Sequence, residues 1–382
     1  MRRIALLASL ALALAPAPAP AAEHVIHISV DGLSATLLQT LLTNLPGAYP
    51  NFERFVAEGA TTFAARSDYT HTITLPNHTS MLTGRPVLQP TGQPNTVHHG
   101  YTGNVDPPAG VTLHNGGNPN LTYVASAFDV AHDHGLSTAH YASKSKFVLY
   151  ERSYDAAHGA PDAVPPSNGT DKIDTYFQST PGATHAAFLA GMAANHFDYV
   201  FLHYSNPDDL GHSNGWGSFP WNTAVQVVDG YLGDIFALVE GDPVLDGHTL
   251  IILSADHGGT GFDHSTASNA ANYTIPFFAW GDGVVPGADL YALNPGTRLH
   301  PGTGRPDYNA PIQPIRNGDG ANLALAALGL PPVPGSTIGA AQDLELNAQV
   351  IPLLPQVARA ALFAMLLGGG VLVLRARASA RS

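Results

Sequence analysis

The 382-residue chain contains no cysteine. Disulfide bonds, thiolate metal ligands and cysteine nucleophiles are therefore excluded. A transition metal would have to be held by histidine and carboxylate side chains, which suit zinc and several other divalent ions. The chain has 19 histidines and 29 acidic residues, so it is rich in both ligand types. The composition is thus compatible with a metal site built from nitrogen and oxygen ligands alone.

Basic residues are also few, and part of them lies at the two ends of the chain: Arg2, Arg3, Arg375, Arg377 and Arg381. Without these five, 11 basic residues face 29 acidic ones, which gives a formal charge of −18. A region this acidic is a poor match for a nucleic-acid polymer or an anionic membrane surface. A small anion is still compatible with it, because bound metal ions would dominate the local field.

The two ends of the chain indicate export. Residues 1–21 combine Arg2 and Arg3, an apolar run and a small-residue cleavage site, which is typical of a secretory signal peptide. The alternative, a buried N-terminal helix, suits the prolines at 16–20 badly. Residues 346–382 combine prolines, an apolar run and terminal arginines, and resemble C-terminal sorting signals of Gram-negative exported proteins. We expect this tail to engage the membrane or sorting machinery as a transient anchor; a last core helix is the alternative.

Residues 22–345 show alternating helix and strand patterns and are predicted to form one α/β domain. Three apolar strands each lead to an aspartate: residues 24–30 to Asp31, 199–204 to Asp208, and 248–254 to Asp256. Continuous apolar strands are typical of a mostly parallel sheet covered by helices on both faces. Ligands of such sheets bind outside the carboxyl ends of the strands. We therefore expect the three carboxylates to meet in one site.

Other segments complete this prediction. Helices are expected at 35–44, 51–59, from about 74 to 82, and at 124–135, 184–195, 223–240 and 317–328, with further strands at 137–142 and 275–280. Residues 151–180 are predicted to be irregular. The loop-rich segments 85–120, 150–180 and 285–315 are expected to be insertions that shape the mouth of the site.

Two aspartate–histidine pairs follow the predicted strands. Asp208 and His212 are four residues apart, so one helical turn would direct both at one ion. Asp256 and His257 are adjacent, and His264 lies past three glycines that would let it fold back. Each pair alone is a weak signal, but together with Asp31 and the hydroxyl of Thr74 they predict a two-metal site. Alternatives to His264 are His248, His300 and Asp263, and the alternative role of Thr74 is an ordinary helix N-cap.

The combined motifs resemble the type I phosphodiesterase/nucleotide pyrophosphatase branch of the alkaline phosphatase superfamily over about residues 24–335. The resemblance rests on Asp31-Gly32, TLPNH at 74–78 with Thr83-Gly84, His99-Gly100 followed by Asn104, Pro207-Asp208 with Gly211-His212, and Asp256-His257-Gly258 with His264. It implies an alkaline-phosphatase-like fold and two divalent ions, expected to be Zn²⁺.

The same resemblance implies a role for each matching residue. One zinc would be held by Asp31, Thr74, Asp256 and His257, and the other by Asp208, His212 and His264. Thr74 would be the nucleophile that forms a covalent phospho-threonine. Asn104 would donate its amide to a phosphoryl oxygen, with Asn77 and Asn95 as alternatives. His71, His78, His98 and His99 are expected to pack or to support the ligands.

The predicted function is that of an exported, metal-dependent hydrolase of phosphodiester or pyrophosphate bonds in a small substrate such as a nucleotide. Trp216 is the preferred aromatic platform for a base. Lys144 and Lys146 are expected at a solvated strand end, and the alternative is that they reach the mouth of the site. A sulfatase is disfavoured by the missing cysteine and the threonine, and a cofactor-independent phosphoglycerate mutase by the same threonine. The alternatives are a phosphomonoesterase of the superfamily and a non-catalytic surface protein that binds metal or ligand.

Overall fold

The computed structural model describes residues 22–347. The predicted signal peptide and nearly all of the predicted C-terminal tail lie outside the described residues, so both segments and the domain boundaries stay predictions. Within the described part of the chain, no helix combines the length and the apolar character needed to cross a membrane.

One sheet of eight strands forms the centre of the described region, in the order β4-β3-β5-β1-β6-β7-β2-β8. The strands are β1 (His24–Val30), β2 (Ala60–Arg66), β3 (Thr138–Ala142), β4 (Thr175–Gln178), β5 (Tyr199–Tyr204), β6 (Thr249–Ser254), β7 (Thr274–Gly281) and β8 (Ala288–Asp289). Strand β7 pairs antiparallel with β6 and β2, and every other neighbouring pair is parallel. The prediction of a mostly parallel sheet between helices is confirmed.

Helices flank this sheet. They are α1 (Ala35–Asn44), α2 (Pro50–Glu58), α3 (Thr74–Thr83), α4 (Leu113–Gly116), α5 (Ala127–Asp133), α6 (Val148–Tyr154), α7 (Pro181–Asn195), α8 (Asn206–Asn214), α9 (Phe219–Gly241), α10 (Ala270–Tyr273), α11 (Leu290–Leu293) and α12 (Asp319–Ala327). A short 3₁₀ turn, Ser145–Phe147, precedes α6.

Strand β1 lies in the middle of the parallel part of the sheet. All seven of its residues are buried, and it pairs with β5 on one side and β6 on the other. Its apolar residues therefore contribute to the core on both faces of the sheet, as expected for a parallel strand covered by helices. Because β5, β1 and β6 are neighbours and run in the same direction, the segments that follow them meet at one edge.

The sequence prediction missed several elements. Strand β2 lacks a long apolar run and follows α2 after a single glycine, so its pattern was not recognised. Strand β4 lies within the stretch predicted to be irregular; it is a short edge strand with half-exposed and exposed side chains, which leaves little hydrophobic signal. By contrast, β1, β5 and α1 have the predicted bounds, because each combines a clear apolar pattern with a clear stop.

Candidate active site

The three strand-end aspartates lie together at the carboxyl edge of the sheet. Asp31 follows β1 directly, Asp208 lies in the first turn of α8 after β5, and Asp256 follows β6; all three are buried. The Gly32 N–H donates to Asp256 Oδ1 at 3.1 Å, and the Asp208 N–H donates to the Asp31 carbonyl at 3.1 Å. The backbone thus fixes the three carboxylates relative to one another.

Two groups of potential metal ligands form around these carboxylates. One consists of Asp31, Asp256 and His257, the other of Asp208, His212 and His264, and within each group the ligand atoms lie within 4.8 Å of one another. The structure therefore brings together all six of the predicted aspartate and histidine ligands.

The two groups adjoin. His257 Nε2 lies 3.4 Å from Asp31 Oδ1 in its own group and 4.0 Å from Asp208 Oδ1 in the other. The rings of His257 and His264 stack with their centroids 3.5 Å apart. His212 Nε2 and His264 Nε2 are 3.0 Å apart. The arrangement can hold two cations side by side.

The histidine rings are oriented as metal ligands usually are. The Nδ1 atoms of His212, His257 and His264 lie within hydrogen-bond distance of backbone carbonyls, at 3.0 Å from Phe262 O, 2.8 Å from Gly258 O and 2.6 Å from Thr72 O respectively. A proton on Nδ1, donated to the carbonyl, leaves Nε2 as the ligand atom. All three Nε2 atoms face the carboxylates.

The unpaired atoms of the site fit divalent metal ions. Four ligand atoms are buried and have no hydrogen-bond partner within the described part of the chain: Asp31 Oδ1, Asp208 Oδ1, Asp256 Oδ2 and His257 Nε2. Unpaired buried polar atoms are costly, and cations would satisfy all four. Burial by itself lowers the pKa of His257, yet Asp256 and the neighbouring carboxylates raise it to about 9. The cluster therefore favours positive charge, and its nitrogen and oxygen donors suit Zn²⁺ among other ions.

Thr74 is buried and is the first residue of α3. The alternative reading of Thr74 as an N-cap is wrong, because the cap position is Ile73 and no side-chain capping bond is present. The turn before α3 is fastened by Asn77, whose Oδ1 accepts hydrogen bonds from the Asp68 N–H at 2.8 Å and from Asn317 Nδ2 at 3.1 Å. Asn317 Nδ2 also lies 3.3 Å from the Asp256 carbonyl, so this network joins the start of α3 to the metal-ligand loop.

Asn104 lies beside the start of α3. Its Oδ1 accepts a hydrogen bond from the Leu75 N–H at 3.0 Å. The amide nitrogen Nδ2 is then the atom free to donate to a ligand. Of the two alternatives, Asn77 uses its side chain in the turn and Asn95 is exposed. The geometry favours Asn104, whose role stays a prediction.

The other candidates lie outside both ligand groups. His248 is 3.3 Å from Glu23, His300 Nδ1 accepts from the Gly302 N–H, and Asp263 accepts from Ser265. Among the histidines near Thr74, His78 is the closest to the site: its Nδ1 lies 2.8 Å from the Thr74 carbonyl and its Nε2 2.7 Å from Ser29 Oγ. The side chains of His71, His98 and His99 contact Thr70, Asn118 and Ser80 respectively.

Sequence reasoning misjudged Lys144 and did not single out His203. Lys144 was expected at a solvated strand end, but its Nζ lies 2.7 Å from Asp31 Oδ2 and 2.5 Å from Asp208 Oδ2. His203 Nε2 lies 3.2 Å from the same Asp31 oxygen. Burial would raise the pKa of Asp31, but Lys144 and His203 hold it well below its usual value. The signal for Lys144 was its position just after a parallel strand.

The prediction of Trp216 as an aromatic platform for a base is also wrong. Trp216 is only 9% exposed, and its Nε1 donates to the Gly32 carbonyl at 2.8 Å. A Cβ added at Gly211 or Gly259 would lie within 2.6 Å of its ring, so these glycines make room for the indole. Trp216 therefore packs the two ligand loops together. The exposed aromatic residue beside the ligands is Phe262, which is 64% exposed.

Comparison with known proteins identifies the family. The family model described as type I phosphodiesterase/nucleotide pyrophosphatase matches residues 25–296. The chain belongs to this family. The predicted resemblance is confirmed, and so, at the level of the family, is the prediction of a hydrolase that acts on phosphoric ester or pyrophosphate bonds.

Individual relatives support the fold. Murine ectonucleotide pyrophosphatase/phosphodiesterase 5, in an inactive form in complex with AMP, has 14% identity and a TM-score of 0.56, covering 84% of this chain and 99% of that chain. The human protein of the same name has 12% identity and a TM-score of 0.53, and it also covers 84% of this chain and 99% of that chain. A 2,3-bisphosphoglycerate-independent phosphoglycerate mutase of Clostridium tetani is 30% identical over 89 residues, which are 22% of this chain and 16% of that protein.

Proposed function

We propose that this protein hydrolyses a phosphodiester or pyrophosphate bond in a small, nucleotide-like substrate, with Thr74 as the nucleophile. The observation that carries the proposal is the set of four buried, unpaired ligand atoms beside the helix that Thr74 begins. The family match and the AMP bound by the murine relative support the reaction class and a nucleotide substrate.

The residues of the site divide into two ligand sets. Asp31, Asp256 and His257 together with Thr74 would hold one divalent ion, and the second set is Asp208, His212 and His264. When bound, the ions supply Lewis acidity that lowers the pKa of the threonine hydroxyl and offsets the charge on the phosphoryl oxygens. Two Zn²⁺ ions would be balanced by three aspartates and the threonine alkoxide, so the centre would not hold the product strongly.

The chain's own side chains then account for the reaction. Thr74 Oγ1 attacks phosphorus in line, forming the Oγ1–P bond while the bond from phosphorus to the leaving oxygen breaks. Water next attacks phosphorus, the Oγ1–P bond breaks, and the threonine hydroxyl is restored. Asn104 Nδ2 donates to a phosphoryl oxygen, and the Leu75 N–H holds the other end of that amide in place.

The substrate class is tested by a direct comparison. We expect zinc-loaded protein to hydrolyse a bis-aryl phosphate or a nucleoside triphosphate faster than an aryl phosphate monoester. Fastest turnover of the monoester would contradict the diesterase proposal and favour the phosphomonoesterase alternative. A metal analysis distinguishes either enzyme from a non-catalytic binding protein. We expect about two ions per chain after gentle purification, and protein that contains no metal would favour the binding protein.

Export is a further part of the proposal, supported by the composition of residues 1–21 and 346–382. We propose that the signal peptide is removed and that the C-terminal tail is read by a sorting or anchoring system. Mass spectrometry of the protein from its native host tests this. A mature N-terminus near residue 22 is expected, and an intact N-terminus in the cytoplasmic fraction would contradict it.

A further inference from the structure

An open cleft of about 790 Å³ adjoins the two metal-ligand groups. Its walls come from the segment after β3, the end of β4, the start of α7 and the residues before and within α8. Lys144, Lys146, Ser205 and Asp209 are among the residues that line it. The cleft lies at the carboxyl edge of the sheet, because β3, β4 and β5 are parallel and all end there.

The two lysines of this cleft differ in how their charge is balanced. Lys144 is held between Asp31 and Asp208. Lys146 has no carboxylate within 4.0 Å among residues 22–347, and its Nζ donates to Asn104 O at 3.0 Å and lies 3.3 Å from Asn104 Oδ1. Burial and the nearby Lys144 lower the pKa of Lys146, although Asp31 and other carboxylates of the site act in the opposite direction. The Lys146 ammonium group is therefore placed, by its contacts with Asn104, one side chain away from the predicted phosphoryl contact.

The acidic groups of the cleft do not neutralise Lys146. Asp209 lines the cleft, but its Oδ2 accepts from Ser205 Oγ at 2.7 Å and its Oδ1 lies 3.9 Å from Lys144. Asp106 accepts from Ser145 Oγ and is exposed to solvent. The cleft therefore offers an anion a lysine that no carboxylate of residues 22–347 pairs with.

The position of the cleft relates it to the leaving group. In an in-line displacement the attacking and leaving oxygens lie on opposite sides of phosphorus. In the proposed site Thr74 would share an ion with Asp31, so the leaving oxygen would face the set that contains Asp208. Asp209 directly follows Asp208 and lines the cleft, so a group beyond the leaving oxygen would enter it.

We propose that Lys146 is a specificity-determining residue that selects substrates whose leaving group carries an anionic group, either a second phosphoryl group or a carboxylate. This inference rests on the proposed function, since it assigns the leaving-group side of the same site. It differs from that proposal because a plain aryl diester has no such anion and would not use Lys146.

Three substrates with one nucleoside test the inference: thymidine 5′-phosphate esterified with 4-nitrophenol, the same nucleotide esterified with 4-hydroxybenzoate, and thymidine 5′-triphosphate. For Lys146→Met, we expect the ratio of kcat/KM for the anionic leaving groups to that for 4-nitrophenol to fall about tenfold or more, mainly through KM, as for one lost ion pair. Lys146→Arg should keep the ratio. If Lys146→Met lowers the ratio for the triphosphate alone, the subsite is specific for phosphoryl groups. If it lowers the ratios for the triphosphate and the 4-hydroxybenzoate ester, the subsite binds anions in general.

An unchanged ratio in Lys146→Met would overturn the inference. This holds even if the substitution displaces Asn104 and thereby lowers kcat/KM for every substrate, because such a loss leaves the ratio unchanged. Arg54→Gln is the control for net charge, since Arg54 lies on α2 and pairs with Glu58 and Glu240.

Binding without turnover gives a second readout. Pyrophosphate is titrated calorimetrically into zinc-loaded Thr74→Ala and into the same protein with Lys146→Met. We expect the dissociation constant of pyrophosphate to be about tenfold higher for the protein that also carries Lys146→Met. Equal dissociation constants for the two proteins would overturn the inference. If wild-type protein hydrolyses none of the three substrates, the proposed function fails. The calorimetric comparison still decides the role of Lys146 in that case.

Discussion

His203 Nε2 lies 3.2 Å from Asp31 Oδ2, on the side of that carboxylate away from the unpaired Oδ1. The buried imidazole on β5 thereby orients a carboxylate that follows β1. Residues that orient metal ligands in this way commonly affect metal affinity although they do not touch the ion.

Replacing His203 by Phe is therefore expected to raise the zinc dissociation constant about tenfold, because Asp31 loses a hydrogen-bond partner while the aromatic packing is kept. Competition with a chromophoric chelator measures this. His140→Phe is a matched control, since His140 is a buried histidine of the neighbouring strand β3 that lies in neither ligand group. Equal affinities of wild type and His203→Phe would show that His203 has no role in orienting Asp31.

Asn104 is expected to act on the phosphoryl group. Asn104→Ala should lower kcat/KM about 100-fold, the usual effect of removing one donor to a developing oxyanion, with metal content unchanged. Asn95→Ala, an exposed alternative in the same segment, should have no effect. Steady-state kinetics on a 4-nitrophenyl nucleotide ester measures both. A larger loss in Asn95→Ala than in Asn104→Ala would reverse the assignment.

Metal removal should destabilise the protein. Four buried ligand atoms lack a hydrogen-bond partner among residues 22–347. Ions that bind only the folded state stabilise it by mass action, by about 2.7 kcal/mol at 100 times the dissociation constant. A chelator is therefore expected to lower the melting temperature, and added zinc to restore it. Differential scanning calorimetry is the measurement. An identical melting temperature with and without chelator would contradict the metal assignment.

His140 predicts a pH effect on stability that is independent of the metal ligands. Burial, with a smaller effect of His203 and His78, lowers its pKa from 6.5 to about 3. Between those values the unfolded chain binds a proton that the folded protein does not, so stability falls as the pH drops below 6.5. His140→Phe removes this loss of stability. The free energy of unfolding of His140→Phe minus that of wild type should therefore be roughly 2 kcal/mol larger at pH 5 than at pH 8.

Urea unfolding of wild type and His140→Phe at the two pH values gives that difference. Loss of metal at low pH acts on both proteins and cancels in the comparison. A stability difference that is the same at pH 5 and pH 8 would contradict the neutral, buried state of His140.

The features that the sequence predicted are those with a local pattern. Apolar strands that end on Asp31 and Asp256 indicate both the sheet and the edge where ligands collect. The four-residue spacing of Asp208 and His212 becomes one turn of α8. These relationships depend on neighbours in sequence or on the common direction of parallel strands, and both are encoded locally in the sequence.

The features that were missed depend on contacts between distant segments. Lys144 lies in a charged, polar stretch that is typical of a solvated strand end, and its partners are 64 and 113 residues away. Trp216 lies among glycines, which suggested an open platform. Those glycines are instead required because the buried indole leaves no space for a Cβ at Gly211 or Gly259.

The role of Thr74 as the nucleophile is tested most directly by the kcat/KM of zinc-loaded Thr74→Ala on a 4-nitrophenyl nucleotide ester, measured at the metal content of wild type. We predict a loss of about 1,000-fold or more, because the substitution removes the hydroxyl that would form the covalent intermediate. Thr74→Ser should retain measurable turnover, since it keeps the hydroxyl. Activity of Thr74→Ala within about tenfold of wild type would contradict the account.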